Sequence, residues 1–111
     1  MNGQEARAGN PERKDPNQGL SRLHIHVHGR VQGVGFRAFV QQAGVRLGLT
    51  GWVRNLGYDQ VEALAEGRRA LLEQFAQAVA AGPIGSRVDE CQQEWESYTG
   101  EFDRFFVRGS R

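Results

Sequence analysis

The sequence predicts an α+β fold, on three observations. Leu23-His-Ile-His-Val-His28 alternates apolar and polar residues, the period of a strand with one buried face. Phe36, Phe39, Val40, Ala43 and Leu47 recur at three- and four-residue spacing, as do Leu71, Leu72, Phe75, Ala78 and Val79, so two amphipathic helices are expected. The third observation is order: strand, helix, strand, strand, helix, strand, then a short aromatic strand. That is two split βαβ units, a ferredoxin-like sandwich with two helices on one face of an antiparallel sheet.

The chain has 111 residues, the size of one domain. Its net charge of +1 gives no broad field for nucleic acid, so any anion must be held by local geometry. A single cysteine excludes an intramolecular disulfide and a cysteine metal cluster. No apolar run reaches the roughly 18 residues of a membrane span and no signal-peptide core opens the chain, so residence in the cytoplasm is expected, without membrane or nucleic-acid partners. Residues 1–20 hold six charged side chains and almost nothing to bury; they are expected to form a disordered extension ahead of a domain at 21–111.

The first strand is expected over Ser21–Val31, with Leu23, Ile25 and Val27 inward and His24, His26 and His28 outward. Three histidines in line suit a transition metal, but a polar outward face is what such a sheet needs in any case, and no acidic or Cys partner adjoins them in sequence. No metal site is therefore assigned. The first helix runs from Arg37 to Leu47 and stops at Gly48; Gly44 inside it implies close packing against a neighbour. Gly51-Trp-Val-Arg-Asn55 and Gln60–Glu66 are strands joined by Leu56-Gly-Tyr-Asp59, where Gly57 is free to take positive φ. Val61, Ala63 and Ala65 share one side of the latter strand. The second helix begins near Arg68 and ends at Gly82-Pro83. Arg87–Trp95 is a fourth strand whose phase is broken: Cys91 and Trp95 share an inner face, Gln93 would be buried with them, and Val88 is out of step. A β-bulge would reconcile these positions. Cys91 is read as a small buried hydrophobe rather than a nucleophile. Tyr98-Thr-Gly100 is a turn, and Phe105–Arg108 closes the sheet.

The turn between the first strand and first helix carries the chemistry. Gly29-Arg-Val-Gln-Gly-Val-Gly-Phe-Arg37 places Gly33 and Gly35 where the backbone can approach a ligand closely. The helix N-terminus that follows offers unpaired N–H groups and a positive dipole end, and Arg37 adds a planar fork suited to phosphate oxygens. A structural turn with Arg37 on a solvated face is the plain alternative. A dinucleotide fingerprint fits Gly33 to Ala38 but needs a doubly wound sheet that this length excludes, and a Walker loop fails for want of Gly-Lys-Ser/Thr.

The same nine residues resemble the first motif of the acylphosphatases. Gly51-Trp-Val-Arg-Asn55, followed by Val61 and Gly67, is similar to their second motif, and the likeness extends over about Leu20 to Arg108. One departure is that Asp59 stands where the family has glycine, with Gly57 nearby. The resemblance implies metal-independent hydrolysis of an acyl phosphate to a carboxylate and inorganic phosphate by a monomer needing no cofactor. It also implies that Arg37 binds the phosphoryl group and Asn55 positions the attacking water. The residues suit those roles. The leaving carboxylate is a weak base, so no general acid is required, and neither Gly29 to Arg37 nor Gly51 to Asn55 contains a His, Asp, Glu or Cys. The N–H groups of Gln32, Gly33, Val34, Gly35, Phe36 and Arg37 would surround the phosphate as a nest. Asn55 both donates and accepts without titrating. Trp52 and Phe36 are read as core, in phase with buried faces. The rival function is a non-catalytic phosphate-binding or interaction module on the same fold.

Overall fold

The structure is a computed structural model that describes residues 19–111; the extension expected at the N-terminus lies, up to residue 18, outside the described residues. The elements are β1 (Leu20–Arg30), α1 (Phe36–Arg46), β2 (Thr50–Leu56), β3 (Gln60–Arg68), α2 (Arg69–Ala81), β4 (Arg87–Glu96) and β5 (Phe105–Val107). The five strands form one sheet in the order β4-β1-β3-β2-β5. This is the expected ferredoxin-like α+β sandwich, with one qualification. β5 runs parallel to β2, pairing Gly51 with Phe105 and Val53 with Val107, so the sheet is mixed rather than wholly antiparallel.

Strand periodicity sets the two faces. Leu23, Ile25 and Val27 of β1 point into the core at 0–1% exposure, beside Val61, Ala63 and Ala65 of β3. Both helices cover this face through Phe36, Val40, Leu72, Phe75 and Val79. α1 ends as expected, with Gly48 at φ 70° donating to the Val45 carbonyl. A Cβ on Gly44 would lie 2.6 Å from the Phe105 ring, so the close approach inferred there is made to β5. β3 runs straight into α2 at Arg69, with no intervening turn; the Arg69 N–H bonds the Gly19 carbonyl at 2.9 Å.

The broken phase of β4 is a bulge. His28 pairs with Glu90 but Gly29 pairs with Val88, leaving Asp89 as the extra residue. Gln93 shares the inner face with Cys91 and Trp95, yet it is exposed, because β4 is an edge strand and its inner face is only partly roofed by α2. Cys91 is half-buried against the core. Phe36 is core as expected. Trp52 is also buried, but on the opposite face: it is in phase with Arg54 and is flanked by the guanidinium groups of Arg54 and Arg108, 5.1 and 4.6 Å from its ring.

Candidate active site

Residues 31–35 cross from β1 to α1 at the end of the sheet where β2 stops and β3 starts. Gly33 and Gly35 both take left-handed φ, 75° and 74°, a conformation that costs other L-residues about 1–2 kcal/mol. Nothing lies within 4 Å of where their Cβ atoms would stand, so both open onto free space. Gly35 caps α1 without a side-chain hydrogen bond, and its carbonyl accepts from Phe39, the first helical bond. The N–H groups of Phe36, Arg37 and Ala38 precede that bond. Among the described residues, no protein acceptor takes the N–H groups of Gly33 through Ala38. These donors are consecutive in the chain, and the first helical turn holds no acidic residue. Arg37 is half-buried in that turn, and no carboxylate among the described residues pairs with it.

Asn55 sits in the last turn of pleat of β2, half-buried, opposite Val61. Val53, two residues earlier, is 0% exposed in the core, so strand alternation puts Asn55 on the helix-bearing face, the same side of the sheet as α1. Backbone bonds brace this position: Arg111 N–H donates to the Asn55 carbonyl at 3.0 Å, and Gly57 N–H donates to the Arg111 carbonyl at 2.9 Å.

One side chain ties the two motifs together. The Gln32 amide donates to the carbonyls of Gly57 and Gln60, at 3.1 and 2.9 Å, and so fastens the loop to the turn that follows Asn55. Of the residues expected to surround the phosphate, Gln32 therefore has only its main-chain N–H to offer. Gly57 takes φ 64°, as its place in the turn required. Asp59, the departure in the second motif, aims its carboxylate at His28 Nε2, 2.7 Å away on the outer face. Its carbonyl accepts from Gly29 N–H at 3.0 Å. The negative charge is thereby held on the side of the sheet away from the helices.

Two carboxylates of β3 are buried on the outer face of the sheet. Glu66, 1% exposed, accepts from Thr99 N–H, Thr99 Oγ1 and Gly100 N–H at 2.8–3.0 Å and so fixes the turn that leads to β5. Glu62, 6% exposed, is gripped by Arg54 Nε and by His24 Nε2, each at 2.7 Å. Burial alone would raise the Glu62 pKa. The hydrogen bonds from His24 and Arg54, with the charges of Arg54 and His26, outweigh it and hold this carboxyl below its ordinary value. Both glutamates occupy outward positions of β3, which periodicity assigns to solvent; only the neighbouring strands and the 97–104 segment show that these positions are covered.

Comparison with known proteins finds one family over most of the chain. The acylphosphatase family model matches residues 23–107. An acylphosphatase of Anaeromyxobacter sp. (strain Fw109-5) is 46% identical over 89 residues, covering 80% of this chain and 96% of that protein. One from Syntrophotalea carbinolica is 47% identical over 87 residues, covering 78% and 95%. Among solved structures, the acylphosphatase from Bacillus subtilis superposes with a TM-score of 0.76 at 39% identity, covering 80% of this chain and 98% of that one.

Proposed function

The chain belongs to the acylphosphatase family and hydrolyses acyl phosphates to a carboxylate and inorganic phosphate, and we propose that it does so with Arg37, the 33–37 backbone and Asn55. The observation that carries this assignment is the run of N–H groups from Gly33 to Arg37 with no acceptor among the described residues, tied through Gln32 to the turn that follows Asn55. In this reading the amides bind the phosphoryl oxygens and the Arg37 guanidinium spans two of them, neutralising the equatorial charge that grows in the transition state. Asn55 accepts a hydrogen bond from water and donates none of its own protons to the reaction, holding the water in line with the scissile P–O bond. Attack on phosphorus forms the new P–O bond as the bond to the acyl oxygen breaks. The carboxylate leaves unprotonated, and the proton of the water passes to a phosphate oxygen.

The reaction is thus one of positioning and charge stabilisation, the usual burden in phosphoryl transfer, and needs neither metal nor cofactor in this reading. The enzyme is taken to act as a cytoplasmic monomer with a small-molecule substrate and no nucleic-acid partner. Its near-zero net charge supports the lack of a nucleic-acid partner, and no helix among the described residues is long and apolar enough to cross a membrane. The test is phosphate release from acetyl, carbamoyl and benzoyl phosphate, with a phosphomonoester as control. Turnover of the acyl phosphates alone is expected; hydrolysis of the monoester at a similar rate would contradict a site that lacks a general acid.

A further inference from the structure

The outer face of the sheet holds a cluster that the hydrolytic site does not use. All three histidines of the sequence lie there, on alternate residues of β1. The first two converge on a carboxylate contributed by the next strand. Glu62 Oε2 lies 2.7 Å from His24 Nε2 and 3.5 Å from His26 Nε2, and the three ligand atoms all fall within 4.8 Å of one another. From this geometry we infer that His24, His26 and Glu62 form a binding site for a divalent transition metal, with Zn²⁺ as the best-suited ion.

Four features support it. Zinc bonds of about 2.0–2.2 Å to nitrogen and oxygen put tetrahedral ligand atoms about 3.3 Å apart, and the two separations to Glu62 bracket that value. Arg54 occupies only Oε1 of Glu62, leaving Oε2 to face the imidazoles and fixing the carboxylate's orientation. Glu96 Oε2 lies 3.7 Å from the other nitrogen of His24, Nδ1, beyond hydrogen-bond distance but close enough to add negative charge beside the ring. Access is open: the His24 and His26 side chains are 23% and 34% exposed beside a shallow groove of about 330 Å³. Two imidazoles and one carboxylate leave a fourth position for water, and that donor set prefers zinc, copper or nickel over magnesium or calcium. Binding puts the metal ion between His24 Nε2 and Glu62 Oε2 in place of their hydrogen bond. The charged neighbours on this face are Arg54 and Arg22 on one side and Glu90, Glu94 and Glu96 of β4 on the other.

This site lies across the sheet from the 33–37 loop and does not depend on the catalytic assignment. The test is calorimetric titration of the chelator-stripped full chain with ZnCl₂, alongside imidazole NMR of the same three histidines. Saturable 1:1 binding is expected, with the His24 and His26 ring signals shifting and those of His28 unmoved. His26→Asn should weaken binding by about 100-fold, at least the upper range for losing a mere supporting partner. His28→Asn should leave affinity unchanged. His26 makes no hydrogen bond among the described residues, so its variant should fold, as circular dichroism will show. The ring shifts of the unmodified protein decide the question if it does not. Absence of saturable binding, equal affinity in the His26 variant, or ring shifts centred on His28 would overturn the site.

Discussion

Arg37 and Glu62 show how differently two charged residues can serve one small sheet. Arg37 has no carboxylate partner among the described residues, and its value lies in the shape of its fork. Arg37→Lys keeps the charge but offers only a point donor, which cannot span two phosphate oxygens. We expect turnover to fall on the order of 10²–10³-fold, comparable to losing one oxyanion donor, with weaker inhibition by inorganic phosphate and an unchanged melting temperature. Near-normal kinetics would remove the two-oxygen contact. Glu62 is a stability residue instead. Its pKa is lowered in the folded state, so the stability it contributes is present above the ordinary carboxylate value and is lost as pH falls through the folded one. In chelator, Glu62→Gln should cost about 1–3 kcal/mol at neutral pH, chiefly because Arg54 loses its charged partner. Urea midpoints of variant and parent should then converge in acid; a gap that stays constant down to low pH would show that Glu62 does not titrate as described. Neither role is equally visible in a sequence. Arg37 is legible because it follows two glycines at a helix start. Glu62 is not, because its partners His24 and Arg54 come from two other strands.

At the scale of elements, the periods of β1, α1 and α2 identified them because each buries one face against a continuous core. β4 was legible only as a broken pattern, since an edge strand buries too little for its phase to be fixed by apolar residues, and the bulge at Asp89 shifts it midway. Trp52, read as core, is buried on the outer face instead, between the guanidinium groups of Arg54 and Arg108, which the apolar pattern of β2 does not reveal. The parallel pairing of β5 was likewise hidden. It depends on where the 97–104 segment crosses, and that path is set by the Glu66 carboxylate on Thr99 and Gly100. Gly44 links α1 to this strand. Gly44→Ala should overpack the Phe105 ring, costing about 1–3 kcal/mol, more than the roughly 1 kcal/mol gained in helix propensity. A lowered melting temperature is the expected outcome, and a raised one would show that the α1–β5 contact yields without strain.

Across the whole molecule, the sheet separates two chemistries. The helix-bearing side carries the 33–37 loop proposed to bind phosphate, with Asn55, and the outer side carries the histidines and their glutamates. In the proposed reading Arg37 and the loop amides supply the positive potential that a metal supplies elsewhere, so turnover should survive exhaustive chelation. Activity lost with chelator and restored by Zn²⁺ or Mg²⁺ would contradict that division of labour. The central claim, that binding and water alignment reside in different motifs, is tested most directly by Asn55→Ala. On one preparation, kcat, inhibition by inorganic phosphate and melting temperature are measured against the parent protein. The account predicts a loss on the order of 10²–10³ in kcat with phosphate affinity almost unchanged, since the 33–37 loop and Arg37 are untouched. A folded variant with unaltered kcat, or one whose phosphate affinity falls in step with kcat, would contradict it.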